Sequence, residues 1–405
     1  MYSDYEKYKY YKNKLGYFDG IDMGNVLAFD LGVLAYFKKS ISNIIILADF
    51  FSYKSFDEDL DCDSLFTIGE YGFRHDYLEI LDVISSKVES KYVHNFYKKR
   101  HWKLPSLSVL IKSFSVCNKL IADVDGIKYK LYILSKTVFY LSSLKALKLR
   151  DINVNKYIAF SSVHTLEALL TNYFRTLGIS TYTMQHGVAH IHTGNIPIDM
   201  LSYENFNADY QLCWGEYSKE QYESYGVGKE KLLVAGYPKI HKKNIDIKIN
   251  IASKNVLILL ARKAFHKSNI SLLDDIIGDS RYKVYLKPHP SLKRENYVNY
   301  LDDAVWLDNI SVKNSIDLKD WSFSISINTS AYYESFLNGV VSFMYIDRYY
   351  EGHKIIPGTE FMNVSELTRK IETLNNKTRE YSQDLSYILG SNIDQYRYYL
   401  TSVRS

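Results

Sequence analysis

From residue 156 onward the sequence repeats one pattern, in which a short apolar run is followed by an amphipathic stretch and then by another apolar run. Residues 156–160 predict a strand, 164–177 a helix that stops at Gly178, and 180–184 a second strand. Strand, helix and strand within about 30 residues form a βαβ unit. Because such a crossover joins parallel strands, the sequence predicts an α/β protein built on parallel sheets.

A second series of the same kind starts after residue 254. It predicts strands at 255–260, 282–286, 323–327 and 340–345, separated by helices at 270–277, 292–300 and 331–338. A chain of 405 residues also exceeds what one hydrophobic core usually organises. We therefore expect two Rossmann-like, doubly wound domains. Their expected limits are 1–240 and 254–385, with 386–405 forming a C-terminal helix that packs back on the first domain.

The first 150 residues show fewer clear elements. Residues 43–49 form an apolar run that predicts a buried strand, and the stretches 106–122 and 130–148 have helical periodicity. Nothing in this part of the chain matches a motif that carries chemistry.

Composition and charge exclude several classes of protein. The formal charge of +4 is small for this length, so we expect no nucleic-acid partner. Cys62, Cys117 and Cys213 are odd in number and lack CxxC spacing, which argues against a disulfide framework or a thiolate metal site. No window reaches the ~18 apolar residues that span a bilayer, and the N-terminus has no apolar leader. We expect a cytoplasmic protein.

A histidine-rich cluster follows the predicted strand at 180–184. Gln185, His186 and Gly187 come directly after it, with His190 close behind. Ligands of open α/β sheets collect beyond the carboxyl ends of the strands, and an imidazole there can act as a general base near neutral pH. A loop histidine bonded to the backbone is the alternative. These histidines lack carboxylate or cysteine neighbours, so the cluster does not predict a metal site.

Two further strand ends carry positive charge. His289 stands between two prolines, which fix the backbone and pre-organise the ring, and Lys287 lies just before them. A phosphate contact made by His289 is the functional interpretation, and a rigid turn is the alternative. Arg262 and Lys263 follow the first strand of the second series, where two cations could balance a diphosphate or belong to the ordinary surface.

A polar stretch opens the helix predicted at 331–338. Asn328, Thr329 and Ser330 precede it, and Glu334 lies one turn inside. Hydroxyls and free backbone N–H groups at a helix N-terminus can bind an anion, so a phosphate could lie there. Capping of the helix by Thr329 or Ser330 explains the same residues equally well.

In this order the motifs resemble those of a known group, the bacterial transferases of GT-B architecture that build capsules, O-antigens and teichoic acids. That family shares a QHG or WHG tripeptide, then an HP motif, then a Ser/Thr pair that opens a helix. The matching residues here are Gln185-His186-Gly187, His289-Pro290 and Thr329-Ser330, with Trp214-Gly215 and residues 234–238 similar to the family's WG and GxP landmarks. The resemblance covers roughly residues 156–346.

The resemblance implies a GT-B architecture, with two Rossmann-like domains and a cleft between them, and a glycosyltransferase activity. It implies that the C-terminal domain binds a nucleotide-activated sugar and that His186 and His289 are catalytic. Among the donor contacts, the resemblance implies His289, Thr329 and Ser330. With the positional arguments above, the full set of donor contacts that we expect is Arg262, Lys263, Lys287, His289, Pro290, Asn328, Thr329, Ser330 and Glu334. On the acceptor side, the implied residues are Gln185, Gly187 and His190.

Relatives with the HP motif mostly use cytidine nucleotides, so the resemblance favours a CMP-linked or other cytidine-linked donor. A UDP-sugar donor, a CDP-glycerol or CDP-ribitol polyol-phosphate transfer, a non-hydrolysing UDP-sugar epimerase and a non-catalytic sugar-nucleotide binder stay open as alternatives. We expect no cofactor and no metal, because the cations and the helix dipole can stabilise the departing phosphate.

The acceptor that the resemblance implies is a growing polysaccharide or a lipid-linked sugar, which would bring the enzyme to the inner face of the membrane. Lysines and tyrosines alternate between residues 5 and 14, and a second basic and aromatic run covers 96–103. This composition suits an anionic interface, and it equally suits an ordinary solvated helix face.

Overall fold

The computed structural model describes residues 3–97, 100–189, 198–239, 247–250, 252–277, 281–307, 311–317, 320–350, 352–375, 381–391 and 393–401. These residues fall into two compact domains. The first contains 3–186, 198–239 and 393–401, and the second contains 187–189 and 247–391, each without the gaps just given. The chain therefore leaves the first domain and returns to it near the C-terminus.

The first domain has ten strands and ten helices before residue 240, among the residues that the structure describes. The strands are β1 Tyr17–Phe18, β2 Ile21–Asp22, β3 Ser52–Tyr53, β4 Leu60–Ile68, β5 Lys91–Asn95, β6 His101–Trp102, β7 Ile152–Ala159, β8 Ser180–Met184, β9 Tyr210–Cys213 and β10 Leu232–Val234. The helices are α1 Asp4–Lys12, α2 Met23–Val26, α3 Ala28–Tyr36, α4 Asn43–Phe50, α5 His75–Ser85, α6 Leu107–Asp123, α7 Ile127–Leu147, α8 Thr165–Thr176, α9 Leu201–Glu204 and α10 Glu216–Ser224.

Six of these strands form one parallel sheet in the order β10-β9-β8-β7-β4-β5. The sheet starts at β4, grows to one side with β5 and then to the other side with β7 and the later strands. The point where the strand order reverses, the topological switch point, therefore lies between β4 and β7. Residues such as Tyr157 and Ile158 of β7 are fully buried, as strands covered on both faces require.

The second domain repeats this plan. Its strands are β11 Asn255–Leu259, β12 Lys283–Lys287, β13 Ala304–Trp306, β14 Trp321–Ser326, β15 Ser342–Tyr345 and β16 Glu360–Phe361. Its helices are α11 His266–Ile276, α12 Val312–Asp317, α13 Ala331–Leu337, α14 Val364–Asn375 and α15 Ser382–Leu389. The parallel sheet has the order β13-β12-β11-β14-β15-β16, so its switch point lies between β11 and β14. The predicted α/β fold with two doubly wound domains is confirmed.

The last helix, α16 Gln395–Thr401, belongs to the first domain. Its Tyr396 and Leu400 are buried, and the Tyr396 hydroxyl donates a hydrogen bond of 2.8 Å to the carbonyl oxygen of Gly236. This contact fixes α16 at the loop that follows β10.

Two predicted elements differ from the structure. Residues 43–49 form helix α4 rather than a strand, because the Ser42 side chain caps the backbone N–H of Ile45 and only one apolar face of the run packs inward. An apolar run of this length fits either element by composition, so the prediction was wrong. The predicted helix at 292–300 is a 3-10 helix, Arg294–Tyr300, broken at Tyr297.

The basic and aromatic N-terminal run forms α1, and much of it faces the protein. Tyr8 and Tyr11 are buried in the core, and Lys12 donates a hydrogen bond to Asn205. Tyr5 is partly buried and packs against the same core, so three of the four tyrosines of α1 are used in packing. None of the helices in the described part of the chain combines the length and apolarity that a membrane crossing requires.

A buried ionic cluster joins three helices of the first domain. The Lys136 ammonium of α7 lies 2.9 Å from the carboxylate of Asp30 on α3 and 3.0 Å from that of Asp49 on α4. Arg100 makes a second ion pair of 2.7 Å with Asp49, and Tyr140 donates a hydrogen bond to Asp30. Burial alone would lower the pKa of Lys136, but the two carboxylates raise it well above its usual value. Lys136 therefore stays charged at neutral pH.

Candidate functional site

The switch point of the second domain collects cationic side chains. Lys287 ends β12 and lies in register with Leu259 of β11, which in turn lies opposite Ser326 of β14. The segments after these three strands therefore start at the same edge of the sheet. They carry Arg262 and Lys263 after β11, the HP motif after β12 and the polar stretch after β14. The structure thus brings the predicted donor contacts of this domain to one place in the fold.

His289 is held in a defined orientation by its own loop. The backbone N–H of Ser291 donates to its Nδ1 at 3.1 Å, and the Ser291 hydroxyl lies 2.9 Å from the same atom. Since Nδ1 accepts, the neutral imidazole carries its proton on Nε2, which is then a hydrogen-bond donor. The Ser291 hydroxyl also accepts from the backbone N–H of Lys263 at 3.2 Å. One serine therefore ties the HP loop to the loop after β11.

The cations around this loop differ in exposure. Arg262, Lys287 and His289 are half-buried, whereas Lys263 and Pro290 are exposed. The Lys287 ammonium lies 3.4 Å from the carbonyl oxygen of Pro288. Cations at the mouth of a parallel sheet favour an anionic ligand, and the half-buried positions are screened less by solvent than surface lysines are.

Side chains of the polar stretch after β14 make hydrogen bonds to backbone groups of the second domain. Asn328 has φ of +38°, a left-handed conformation that asparagine tolerates, and its side-chain amide donates to the carbonyl oxygen of Tyr349. The Thr329 hydroxyl accepts from the backbone N–H of Ala331, the first residue of α13, at 3.3 Å, while the N-cap residue Ser330 makes no side-chain capping bond. Ser330 and Glu334 are half-buried. Capping and ligand binding at Thr329 both remain consistent with this geometry.

Sequence reasoning missed Asp347 and Arg348, which follow β15 in the same sheet. The Asp347 carboxylate accepts from the backbone N–H of Tyr349, and the exposed Arg348 guanidinium lies 4.7 Å from the Tyr349 ring centroid. Tyr349 is also the residue whose carbonyl holds Asn328. The strand at 340–345 was predicted, so inspection of the residues after it would have found this arginine.

The switch point of the first domain contains an aromatic and imidazole cluster. His186, after β8, stacks on Phe160 at a centroid distance of 5.3 Å and lies 6.5 Å from His164, measured between ring centroids. The Tyr71 ring, after β4, lies 5.8 Å from the His186 ring, and its hydroxyl is 3.4 Å from Nε2 of His164. His186 is half-buried and His164 is buried. Two imidazoles and a phenol therefore meet beyond the carboxyl ends of β4, β7 and β8.

Backbone strain lies beside this cluster. Thr165, the first residue of α8, has φ of +45°, which is rare for a β-branched side chain and costs on the order of 1–3 kcal/mol. Strain of this kind persists where the surrounding structure holds a residue in place, and it is concentrated at functional sites. His164 is the adjacent residue, so the strain supports a functional role for the first-domain cluster.

Gln185 is part of the scaffold of the first domain. It is 2% exposed, its amide donates to the Ser218 hydroxyl at 2.8 Å, and its side-chain oxygen accepts from the backbone N–H of Trp214 at 2.7 Å. These bonds join the ends of β8 and β9 to α10, which fixes the loop that presents His186. Gly187 is half-buried and its Cβ position is open. His190 lies outside the described residues, so its predicted role stays a prediction.

A fully buried carboxylate, Glu167, holds the two sides of the first switch point together. Its oxygens accept from the backbone N–H of Gly69 after β4 at 2.9 Å and from that of Phe160 after β7 at 2.8 Å. The Thr67 hydroxyl donates to it as well. Burial raises the pKa of Glu167 to about 8, while these donors oppose the rise. No sequence motif marked this residue, although a glutamate inside the apolar face of a predicted helix is an available signal.

Replacement of Glu167 by glutamine should change both the size and the pH dependence of stability. In the folded protein the pKa of the Glu167 carboxyl group lies above its ordinary value of 4.5. The contribution of Glu167 to the free energy of unfolding should therefore fall as pH rises from about 4.5 towards 8. Glu167→Gln should abolish that slope. It should also cost about 1–3 kcal/mol at low pH, because an amide NH₂ then faces a backbone N–H donor.

Urea unfolding of the wild type and Glu167→Gln across this pH range measures both effects. Glu295→Gln, at an exposed glutamate of the second domain, serves as the matched control and should leave the profile unchanged. Parallel profiles for wild type and Glu167→Gln would contradict the assignment.

Within the described residues, no three His, Cys, Asp or Glu side chains come together as a metal site needs. The structure gathers Arg262, Lys263, Lys287 and His289 in the second domain and His186 in the first. Beside these residues the structure places His164, Tyr71 and Glu167 in the first domain and Arg348 in the second. The sequence analysis missed all four because no motif contains them. The prediction that His186 and His289 line one shared cleft stays a prediction.

Comparison with known proteins finds proteins of similar fold but no match in sequence family. No family model matches the chain, and no curated protein matches it either. Among solved structures, the UDP-GlcNAc 2-epimerase from Methanocaldococcus jannaschii is 15% identical, with a TM-score of 0.50 over 84% of this chain and 99% of the epimerase. The lipopolysaccharide outer core galactosyltransferase WaaB, in its apo form, is 14% identical, with a TM-score of 0.52 over 83% of this chain and 98% of that protein. The chain is therefore similar to both in fold, and its two Rossmann-like α/β domains have the GT-B fold.

Proposed function

We propose that this protein is a glycosyltransferase that transfers a sugar from a nucleotide-activated donor to the hydroxyl of a saccharide acceptor. The observation that carries the proposal is the oriented imidazole of His289 among cations at the switch point of the second domain. Ligands of doubly wound sheets bind at such a switch point. A diphosphate or monophosphate ester matches both the charge and the donor geometry there.

In this proposal the second domain holds the nucleotide. Nε2–H of His289 donates to a phosphate oxygen, while Arg262, Lys263 and Lys287 balance the phosphate charge. Because Ser291 fixes the ring in advance, the hydrogen bond costs little reorganisation as negative charge develops on the leaving phosphate. Thr329 and Ser330 supply further hydroxyls near the same edge, and Glu334 could accept from a sugar hydroxyl.

The first domain supplies the base in this proposal. His186 takes the proton of the acceptor hydroxyl, the acceptor oxygen forms a bond to the anomeric carbon, and the bond from that carbon to the donor phosphate breaks with its electron pair going to the phosphate. His164 and Tyr71 surround the His186 ring and orient it. The step needs no metal, because the cations of the second domain can stabilise the departing phosphate.

The identity of the nucleotide and acceptor belongs to the same proposal. The HP motif favours cytidine, whereas the name of the similar epimerase specifies UDP-GlcNAc, so UDP-sugars are the competing donors. The similar galactosyltransferase acts, by its name, on the outer core of lipopolysaccharide. We infer a bacterial surface polysaccharide or its lipid-linked precursor as the acceptor.

A sugar-nucleotide epimerase is the second candidate, and the fold similarity to the epimerase is the observation that favours it. The two functions separate in one incubation without an acceptor. An epimerase converts the donor sugar into its epimer, whereas a transferase leaves it intact or slowly hydrolyses it. Appearance of an epimerised sugar nucleotide would replace the main proposal with this one.

Nucleotide binding should raise the thermal stability of the protein selectively. We expect CMP, CDP, UDP or GDP, screened singly, to give one clear increase in Tm, because a ligand at 100 times its Kd stabilises by about 2.7 kcal/mol. The increase should survive EDTA, disappear in His289→Ala and persist in His75→Ala, a matched exposed histidine of the first domain. No shift with any nucleotide, or a strict requirement for a divalent cation, would contradict the proposal.

A further inference from the structure

Positive charge is concentrated in one continuous stretch of the first domain. Residues 100–150, all of which the structure describes, contain ten Lys or Arg and two Asp, a formal charge of +8. The whole chain carries +4, so the remaining residues sum to −4. Asp123, one of the two acids, is already paired with Lys14 at 2.9 Å. Three of the cations are already balanced by acids from outside the stretch, because Lys136 and Arg100 pair with Asp30 and Asp49, and Lys148 pairs with Asp19. The positive charge that remains still favours an anionic partner.

The same stretch exposes an apolar stripe along α6. Leu107 is 73% exposed, Ile111 62% and Phe114 54%, and these positions repeat at the helical spacing of four and three residues. The other side of α6 is buried through Val116 and Leu120. Helix α6 is thus apolar on both sides, and its outer side has no covering element among the described residues.

Two more exposed apolar side chains precede α6. Trp102 is 67% exposed and Leu104 74% exposed. Together with Leu107, Ile111 and Phe114 they form what we call the α6 surface. Lysines flank it: Lys103 lies between the first two members, while Lys112 and Lys119 lie seven residues apart along one flank of α6, and all three are exposed. Lysines beside Trp, Leu, Ile and Phe form the composition of an interfacial membrane helix.

A cavity of about 240 Å³ opens beside this surface, between the first half of α6 and the last half of α7. Its lining includes the apolar side chains of Phe18, Val109, Leu141 and Leu144, three lysines, Lys112, Lys145 and Lys148, and one acid, Asp19. Lys148 is paired with Asp19, and Lys145 donates to the Ser106 hydroxyl at the start of α6. A lining that combines apolar side chains with ammonium groups suits a lipid, which has an acyl chain and a phosphate.

We propose that the α6 surface docks on an anionic phospholipid bilayer, with its apolar side chains at the level of the acyl chains and its lysines at the phosphates. The charge of the stretch and the lysine-lined cavity beside the surface favour a bilayer over a second protein. Each lysine near an anionic membrane strengthens binding by about fivefold, and each inserted Leu or Phe by about tenfold. Docking does not depend on the proposed transfer reaction.

Flotation of the full chain with vesicles tests the proposal. The wild type should bind vesicles of phosphatidylcholine mixed with phosphatidylglycerol, bind less at high salt, and stay in solution with phosphatidylcholine alone. Leu107→Ser/Ile111→Ser/Phe114→Ser and Lys103→Gln/Lys112→Gln/Lys119→Gln should each lose more than about tenfold in vesicle affinity. The matched controls are Leu177→Ser/Val298→Ser and Lys229→Gln/Lys293→Gln, at exposed positions elsewhere.

Trp102 gives a second readout that needs no disruptive variant. Brominated phosphatidylglycerol should quench part of the tryptophan emission of the wild type, and Trp102→Phe should remove the quenched part. The proposal would be overturned if the wild type bound both vesicle types equally, or if the control variants lost as much vesicle affinity as the α6 variants. Absence of tryptophan quenching by the brominated lipid would overturn it as well. So would a wild-type dimer that the triple serine variant converts to monomer, because the surface would then join two copies of the chain.

Discussion

Replacement of Lys136 by methionine should lower the free energy of unfolding by about 3–5 kcal/mol, the largest stability effect that we expect from a single side chain here. Methionine fills a similar volume, so packing changes little, but Asp30 and Asp49 lose the ammonium between them. Arg100 still pairs with Asp49, which leaves Asp30 with hydrogen bonds and no cation. A buried carboxylate without a counter-charge is the source of the loss.

Urea unfolding measures this loss, with Lys145→Met of the same helix as the matched control because Lys145 is exposed. If Lys136→Met were as stable as the control at neutral pH, the ion pairs of Lys136 would make no net contribution to the free energy of unfolding.

Replacement of His289 by alanine should reduce turnover by about 10²–10³, the typical worth of one pre-organised donor to a developing oxyanion. The fold should remain intact, because the ring is half-buried and its Nδ1 partners lie within its own loop. Turnover is measured with the sugar nucleotide that the binding screen identifies, and circular dichroism checks the fold.

Ser291→Ala separates orientation from contact at this position. The backbone N–H of Ser291 still donates to Nδ1 in that variant, so activity should fall less than in His289→Ala. His75→Ala provides the control for a surface histidine. Wild-type turnover from His289→Ala would remove the HP motif from the site.

The fold of the second domain could be predicted well because its strands are covered on both faces. Val256 to Leu259 and Phe323 to Ile325 are almost entirely buried, so they appear in the sequence as apolar runs between polar loops. Strand β4 was not predicted, because Asp61, Cys62 and Asp63 in its first half are exposed or half-buried and interrupt the pattern. The apolar run at 43–49 was wrongly predicted as a buried strand because two of its apolar side chains, Ile44 and Leu47, are exposed on helix α4.

The residues of the candidate site could be proposed from the sequence where polar or cationic residues directly follow a predicted strand. His289, Arg262 and Lys287 were found because proline or cationic residues there have few structural explanations. His164 and Tyr71 were missed because they meet His186 only through tertiary packing of separate strand ends. Glu167 was missed because a carboxylate that satisfies backbone N–H groups leaves no pattern in neighbouring residues.

Helix α16 makes the first domain discontinuous, and this has a consequence for synthesis on the ribosome. Domains usually fold in the order in which they emerge, but the pocket for Tyr396 and Leu400 cannot fill until the whole second domain has been translated. In a nascent or truncated chain that ends before residue 392, the surface of the first domain that Tyr396 and Leu400 cover stays exposed to solvent. The first domain therefore completes its folding last, and a deletion that removes α16 destabilises a domain whose other elements all precede residue 240.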